Sequence, residues 1–380
     1  MTHTHAPLRR HIMEEINWNA RLIAIKGFRG SGKTNLLISY AKENYSDTDR
    51  RCLYINMNNF YFSVKSIIEF ANEFQLKGGE VLLIDQAFKY PRWAQELSYC
   101  YDNYPKLKII FTCPVAMQLD EEPELKDKVD EYCISGFSFR EFIELKTGLE
   151  FPVYTLEEII ENHENIAREI SEEIRPLAYL DDYLEYGFCP FHLEKHNFLE
   201  NLLERMNTML DVDLVAINQI DQNYLPKIRK LLYLLALIAP CNPNISQLSN
   251  EIETSRATVM NYIKSLENSR IINLLYAEQD EYPKKPSQIY INNPNLLFVT
   301  HPSGVDKQAL SETFFYNQVN KHNRINLGKR NAQFMVNKKL QFSVGPGVRG
   351  KFNPEYYYAV SGIECGEKNV IPLWLFGFLY

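Results

Sequence analysis

The stretch LIAIKGFRGSGKT, residues 22–34, decides the fold of the N-terminal part of this chain. The apolar run at its start is typical of a buried strand, and GFRGSGKT then satisfies the pattern G-x-x-x-x-G-K-[ST]. Glycines in such a loop let the backbone wrap around a chain of phosphates, and the helix that follows points its N–H groups and its dipole at them. A strand, this loop and a helix in series therefore predict a phosphate-binding P-loop.

The P-loop also predicts which side chains hold a nucleotide. We expect Lys33 to reach the β and γ phosphates and Thr34 to ligate a magnesium ion. The other residues that we assign to nucleotide binding complete the loop and the first turn of the helix, and they are Gly27, Phe28, Arg29, Gly30, Ser31, Gly32 and Asn35. The predicted cofactors are ATP and Mg²⁺, and the sequence does not separate ATP from GTP.

A second buried strand, VLLID at residues 81–85, supplies the acidic residue that such a site needs. We expect Asp85 to hold the hydrated magnesium ion. The next residue is Gln86, where ATPases of this architecture usually place a glutamate that activates water. Glutamine can orient a water molecule but cannot take its proton, and loss of a general base typically costs about 10²–10⁴-fold in rate. We therefore expect good nucleotide binding with slow turnover.

The first 150 residues alternate short apolar runs with helical stretches. We predict strands at 21–27, 51–57, 80–86, 107–113 and 131–135 and helices at 33–44, 63–75 and 92–103. This alternation predicts a parallel sheet that helices cover on both faces. Thr112 ends the fourth strand, where a sensor of the γ phosphate is expected, although an ordinary threonine at a strand end explains the residue equally well.

Composition sets the limits for the whole chain. Its 380 residues allow two to four domains of roughly 100–200 residues each. The net charge of -7 excludes a global attraction to nucleic acid or to anionic lipid. Seven scattered cysteines without a C-x-x-C pair predict reduced thiols in a cytoplasmic protein. The longest apolar runs reach about half of the roughly 20 residues that a spanning helix needs, so no membrane partner is expected.

Charge and periodicity change along the second half of the chain. Residues 155–185 carry ten acidic side chains against two arginines, which predicts a solvated helical lid or linker or, as the alternative, an acidic interaction surface. From residue 225 a helix, a short helix, a turn, a helix and a strand hairpin predict a winged helix-turn-helix. In its last helix, Arg256, Asn261 and Lys264 are suited to DNA contact, although protein docking explains such a module as well. Residues 306–370 hold ten basic against five acidic side chains, a second region that could meet a phosphate backbone.

Several motifs taken together resemble a large bacterial and archaeal family of predicted AAA+ superfamily ATPases. Besides GFRGSGKT and VLLIDQ, they are FSFREF (137–142), YLEYGFCPF (183–191), the segment NISQLSNEIETSRATVMNYIKSLE, KPSQIYINNPNLL (285–297), ETFFYNQ (312–318) and IPLWLFGFLY (371–380). The resemblance covers nearly the whole chain. It implies an α/β fold with a P-loop NTPase parallel-sheet core, which we place at 1–150, and the acidic composition described above adds a helical lid or linker at 151–222. A winged helix at 223–294 and a C-terminal α+β domain similar to restriction endonucleases at 295–380 complete the implied architecture.

The chain departs from this family at positions that matter for catalysis. Members usually have a glutamate where this chain has Gln86, and a Gly-Arg step where it has Asp127 and Lys128. Arg140 or Lys128 could replace the missing arginine at the γ phosphate, so Arg140 joins Lys33, Asp85, Gln86 and Thr112 as a catalytic candidate.

The C-terminal region departs from the family as well. Nucleases of the restriction type hold magnesium with two carboxylates beside the scissile phosphate. Gln333 and Ser343 stand where those acids are expected, so we predict no nuclease activity.

Two functions from different classes follow. The first is an ATP-binding AAA-type switch with weak ATPase activity, which couples its nucleotide state to the winged helix and the nuclease-like region and is compatible with a homo-oligomer. The second is a DNA-binding regulatory or defence-related protein in which ATP plays a structural role. A small-molecule P-loop kinase ranks last, because the segment PVAMQLDEEPELKD at 114–127 is acidic. His192 and His196 have a spacing that could bind metal on one helix face, but a solvated helix explains them better.

Overall fold

The computed structural model describes residues 8–190, 197–215, 221–301, 304–348 and 352–380. Internal contacts divide the chain into two compact units, Met1–Gly136 and Phe137–Tyr380. The sequence placed the first boundary at residue 150, whereas residues 137–150 lie in the second unit. The physical reason is aromatic packing, since the ring of Phe139 contacts those of Phe314 and Phe378 edge to face.

The first unit is built on one parallel sheet. Its strands are β1 Leu22–Gly27, β2 Cys52–Asn56, β3 Val81–Asp85, β4 Lys108–Pro114 and β5 Asp130–Cys133. They lie in the order β2-β3-β4-β1-β5, and each neighbouring pair runs parallel. Every residue of β1 and β3 is buried, as expected for central strands covered on both faces. The predicted parallel α/β core is thereby confirmed.

The helices of the first unit are α1 Ile12–Glu15, α2 Lys33–Asn44, α3 Ile67–Leu76 and α4 Trp93–Asn103. The prediction for α2 matches both ends, whereas α3 begins four residues later than the predicted position 63. Ser66 explains that start, because its side chain and that of Glu69 form a capping box at the first turn. Because parallel strands end at one edge of a sheet, the P-loop after β1 and Asp85 at the end of β3 meet there.

The second unit begins with helices whose apolar faces are packed. They are α5 Phe139–Thr147, α6 Leu156–Glu173, α7 Leu177–Asp182 and α8 Phe198–Thr208, with π-helical turns at Tyr183–Gly187 and Met209–Leu214. The predicted acidic helical segment is amphipathic, because α6 exposes its glutamates but buries Ile159 and Ile166. His163 on the same face lies 2.8 Å from the carbonyl oxygen of Lys368 through its Nε2. Helix α6 therefore contacts the segment that precedes the last strand of the chain, and a solvated linker would not require such a contact.

The middle of the second unit has the order of elements predicted from sequence. Three helices, α9 Leu225–Ala236, α10 Ile245–Glu251 and α11 Arg256–Asn268, precede an antiparallel hairpin of β6 Ile272–Leu275 and β7 Gln288–Ile291. Asn244 caps α10, and Ser255 caps α11. Within the described ranges, no helix combines the length and the apolar character needed to cross a membrane.

The C-terminal part of the second unit contains a second five-stranded sheet. Helices α12 Pro294–Thr300 and α13 Lys307–Val319 precede β8 Ile325–Leu327, β9 Phe334–Val336, β10 Leu340–Gly345, β11 Tyr356–Val360 and β12 Val370–Pro372. The order is β12-β11-β10-β9-β8, antiparallel from β8 to β10 and parallel from β10 to β12. Helix α13 packs on one face, where Phe315 contacts Phe334 and Phe342.

Candidate functional site

The loop between β1 and α2 depends on glycine at three positions. A Cβ atom on Gly27 would lie 2.5 Å from Oγ of Ser31 and 2.8 Å from the carbonyl oxygen of Ile134, which leaves no room for a side chain. Gly30 and Gly32 have φ angles of +88° and +97°, a region that side chains disfavour. The sequence motif thus has a direct steric cause, and the loop has the tight form that a phosphate-binding backbone requires.

The charged and polar side chains of the loop are suited to binding an anion. Nζ of Lys33 donates to the carbonyl oxygens of Gly27 and Phe28 at 2.7 and 2.9 Å, so the loop closes around this cation. The hydroxyl of Ser31 is fully buried and has no hydrogen-bond partner among the described residues. A buried hydroxyl left unpaired is costly, and a phosphate oxygen would satisfy it. The loop therefore fits the phosphates of a nucleotide.

Asp85 lies at the centre of a hydrogen-bond network at the edge of the sheet. It is 2% exposed, and Oδ1 accepts from the hydroxyl of Thr112 at 2.6 Å. Oδ2 accepts from the hydroxyls of Thr34 and Tyr54, each at 2.9 Å, and from Nδ2 of Asn56 at 3.1 Å. No ion pair to this carboxylate occurs within the described residues. The two residues predicted to hold magnesium, Thr34 and Asp85, are thus brought into direct contact.

Tyr54 and Asn56 were not identified from the sequence. They belong to β2, where Asn56 is the register partner of Asp85 and Tyr54 lies two positions earlier. Burial raises the pKa of Tyr54 to about 12, so its hydroxyl stays protonated and donates to the carboxylate. A polar residue at the end of a strand was the available signal, but only the strand order shows that β2 lies beside β3.

Gln86 follows the carboxylate in a constrained position. Its φ angle is +58°, in the left-handed region that non-glycine residues seldom occupy. Its backbone N–H donates to the hydroxyl of Thr112 at 2.8 Å, and its side-chain amide has no partner among the described residues. Thr112 is fully buried between Gln86 and Asp85. This geometry favours a positioning role for Thr112 over the direct γ-phosphate contact expected from sequence.

Arg10 is a further residue of the site that the sequence did not reveal. Its guanidinium donates to the carbonyl oxygen of Ser31 at 3.1 Å and to those of Ser135 and Gly136, each at 3.0 Å. It therefore ties the P-loop to the segment that follows β5. No local motif surrounds Arg10, so this anchoring role depends on the fold alone.

Arg140 lies in the second unit and is engaged there. Its NH1 group is 2.5 Å from Oε1 of Glu144, and its Nε donates to the carbonyl oxygen of Tyr380 at 3.2 Å. Both side chains of the ion pair are buried. These contacts favour a structural role for Arg140 rather than the catalytic role expected from sequence.

The residues present fit magnesium and ATP. Thr34 and Asp85 offer hard oxygen ligands, and Mg²⁺ usually takes one or two protein ligands, several waters and substrate phosphates. The described ranges contain no cluster of three or more His, Cys, Asp or Glu that could form an all-protein metal site. Of the remaining predicted loop residues, Phe28 and Arg29 are half-buried in the loop and Asn35 is exposed in the first turn of α2.

The residues predicted for DNA and nuclease chemistry lie elsewhere. Arg256 is exposed at the start of α11, Asn261 accepts from the hydroxyl of Tyr282 at 2.6 Å, and Lys264 pairs with Glu267 at 2.7 Å. In the C-terminal sheet, Oε1 of Gln333 accepts from the backbone N–H of Val344 at 3.0 Å, and its Nε2 donates to the carbonyl oxygen of the same residue at 3.4 Å. The pair of His192 and His196 lies outside the described residues.

Comparisons with known proteins agree with the site formed by the P-loop and Asp85. Residues 19–143 match the family model of an AAA domain, and residues 177–299 match a domain of unknown function (DUF8612). The chain is 25% identical over 308 residues to Uncharacterized protein MJ1637 of Methanocaldococcus jannaschii. That alignment covers 76% of this chain and 64% of the relative's length. The match to the AAA domain supports an AAA-like P-loop ATPase and, with it, nucleotide binding.

Proposed function

We propose that this chain is an ATP-binding AAA-type ATPase with slow turnover that acts as a nucleotide-dependent switch. The observation that carries the proposal is the network around Asp85. It joins the P-loop through Thr34 and β4 through Thr112. A carboxylate fixed by neutral donors beside a P-loop is the arrangement that a magnesium nucleotide requires.

Each side chain has a separate task in this proposal. Lys33 and the N–H groups at the start of α2 bind the phosphates, and Ser31 adds a hydroxyl. Thr34 and Asp85 would hold magnesium, which when bound neutralises charge on the phosphates. Gln86 can orient a water molecule through its amide but cannot accept a proton from it. Slow hydrolysis follows from this last property.

The same network suggests how nucleotide binding reaches the rest of the first unit. A ligand that changes the contacts of Thr34 or Asp85 also changes the hydrogen bonds from Tyr54 and Asn56 on β2. The proposal includes coupling from there to a winged helix at 223–294 and to a nuclease-like region at 295–380 without cleavage activity. Differential contacts in two nucleotide states are what such a switch needs.

A binding titration paired with a turnover measurement tests this function. The full chain is titrated with ATP and with GTP in Mg²⁺, and phosphate release is followed with and without DNA. We expect saturable binding, slow release and a change in rate on adding DNA. Absence of nucleotide binding would contradict the proposal. Nucleotide binding with a rate of phosphate release that DNA does not change would contradict the coupling to the winged helix and the nuclease-like region.

A cleft in the middle of the second unit favours DNA binding as a second candidate function. It measures about 530 Å³ and is lined by Arg256 at the start of α11 and by Lys285 before β7. Arg256 has no hydrogen-bond or ion-pair partner among the described residues. Exposed cations beside a helix N-terminus suit contact with a phosphate backbone.

Fluorescence anisotropy with duplex DNA at several salt concentrations tests this candidate. Arg256→Ala should weaken binding and reduce its salt dependence, while Lys264→Ala, which removes a cation already paired with Glu267, serves as the matched control. Salt-sensitive binding that ignores nucleotide would favour the DNA-binding regulator over the switch. Equal effects of the two substitutions would contradict a specific role for Arg256.

A further inference from the structure

The C-terminal sheet carries a cavity that neither the nucleotide site nor the switch uses. It measures about 260 Å³, and the residues that line it include Arg330, Ser343, Phe352, Asn353, Tyr356 and Tyr358. Side chains alternate between the two faces of a strand, and Phe342 faces helix α13. The next residue, Ser343, therefore faces the opposite side of the sheet, where the cavity lies.

Strand pairing assembles one wall of this cavity. β10 and β11 run parallel, with Ser343 opposite Tyr358 and Gln341 opposite Tyr356. The ring of Phe352 stacks on Tyr358 with centroids 5.1 Å apart and planes inclined by 21°. Phe352 is nevertheless 51% exposed, so its ring still offers surface to a planar group. Stacking on an exposed aromatic ring is the common way in which proteins hold a nucleobase.

The polar groups of the cavity favour an anion over a metal ion. Arg330 is exposed, and no described residue forms a hydrogen bond or an ion pair with its side chain. Ser343 is 5% exposed, and its hydroxyl likewise has no hydrogen-bond partner among the described residues. None of the described residues that line the cavity carries a carboxylate. A free guanidinium and a free hydroxyl without an acid are suited to a phosphate group.

We propose that this cavity binds one nucleotide unit, with the base on Phe352 and the phosphate on Arg330 and Ser343. The volume is below the roughly 300–1,000 Å³ of pockets for drug-sized ligands, which suits a mononucleotide or the last nucleotide of a strand. Binding here needs no magnesium, because the lining offers a cation where a metal site would offer acids. The sheet that lacks nuclease acids would thus hold a nucleotide without cutting a strand.

Calorimetric titration of the full chain in the presence of EDTA tests this proposal. The Lys33→Ala background weakens the P-loop site, and the probes are AMP and a short single-stranded DNA with a 5′ phosphate. Arg330→Ala should weaken binding roughly tenfold through loss of the charged contact. Phe352→Ala should do so roughly tenfold through loss of stacking, with Phe352→Tyr close to the parent protein. Arg324→Ala, which removes an exposed arginine immediately before β8 that does not line the cavity, should change nothing.

The two probes separate the two sources of a nucleotide. Binding of AMP supports a free mononucleotide as ligand, and binding of the DNA alone supports the end of a strand. Both altered side chains are exposed, so thermal unfolding of the variants should match that of the parent. Failure of both probes to bind, or affinities unchanged by Arg330→Ala and Phe352→Ala, would overturn the proposal. Neither result bears on the P-loop, because the cavity belongs to the second unit.

Discussion

Asp85 in the first unit and Glu144 in the second are both buried carboxylates, at 2% and 9% exposure, but their partners differ in charge. Asp85 accepts from three hydroxyls and one amide, all of them neutral. Glu144 lies 2.5 Å from the guanidinium of Arg140. A buried charge is costly unless it is compensated. The carboxylate of Glu144 has a cationic partner within the protein, whereas the carboxylate of Asp85 has neutral partners and can bind an added cation.

Arg140→Ala should give the largest effect, because it would leave Glu144 buried without its opposing charge. We expect the free energy of unfolding of the second unit to fall by about 3–5 kcal/mol. Burial already raises the pKa of Glu144 above its ordinary value of 4.5, against the opposing effects of the Phe151 N–H and Arg140. Because the pKa of Glu144 is higher in the folded state than in the unfolded state, its contribution to stability is fully present below pH 4.5. That contribution is lost as the pH rises through the pKa of the folded state.

Denaturant unfolding at neutral and acidic pH measures this effect, and the loss should be larger at neutral pH. Arg175→Ala, at an exposed arginine of the same unit, is the control and should cost little. Nucleotide affinity should not change in Arg140→Ala. A large loss of nucleotide affinity with intact stability would instead support the catalytic role expected from sequence.

Lys33→Ala removes the lysine of the P-loop, whose Nζ donates to the carbonyl oxygens of Gly27 and Phe28. Loss of charged hydrogen bonds to phosphate should weaken ATP binding roughly 10- to 100-fold. A titration with ATP in Mg²⁺ measures this change. Lys42→Ala, in the last turn of the same helix, should bind as the parent protein does. Similar affinities for both variants would show that nucleotide does not bind at the P-loop.

Asp85→Asn keeps the shape of the side chain but removes its charge. The new amide would direct a donor at Thr34, Tyr54, Asn56 or Thr112, which are donors themselves, so we expect a loss of about 1–3 kcal/mol in stability. Stabilisation of the protein by ATP should also lose its dependence on Mg²⁺. Thermal unfolding with ATP, with and without Mg²⁺, measures both effects, and exposed Asp120→Asn is the control. Retained Mg²⁺ dependence would exclude Asp85 as the magnesium ligand.

Tyr54→Phe should give the smallest effect, about 1 kcal/mol for one neutral hydrogen bond. The pKa of Tyr54 is raised from 10.0 to about 12 by burial. Its contribution should therefore be complete below pH 10 and decline as the pH rises toward 12, because only the unfolded state then loses the proton. Unfolding curves of both proteins across this range should converge at high pH. A constant difference would show that the hydroxyl does not donate to Asp85.

The sequence predicted the features that depend on neighbouring residues. The glycines of the P-loop, the bounds of α2 and the position of Asp85 at a strand end all follow from short patterns. Burial of β1 and β3 on both faces follows from their continuous apolar runs. These properties are local, so one stretch of chain contains the information that determines them.

Features that depend on which strands are neighbours were not predicted. Asn56 reaches Asp85 because β2 pairs with β3, and no pattern within β2 records that pairing. Arg10 contacts residues more than 100 positions away for the same kind of reason. β8 and β12 have three residues each, too few to show a period in the sequence. Arg140 lies within the segment predicted as the ATPase core, residues 1–150, but its guanidinium donates to the carbonyl oxygen of Tyr380 in the second unit.

The central claim is that the protein binds nucleotide and hydrolyses it slowly because Gln86 follows Asp85. Steady-state phosphate release by the natural protein and by Gln86→Glu, with ATP affinity measured for both, tests this claim most directly. We predict slow release by the natural protein and a gain of about 10²-fold or more in the variant at similar affinity. An unchanged rate in a folded variant that binds ATP normally would contradict the account.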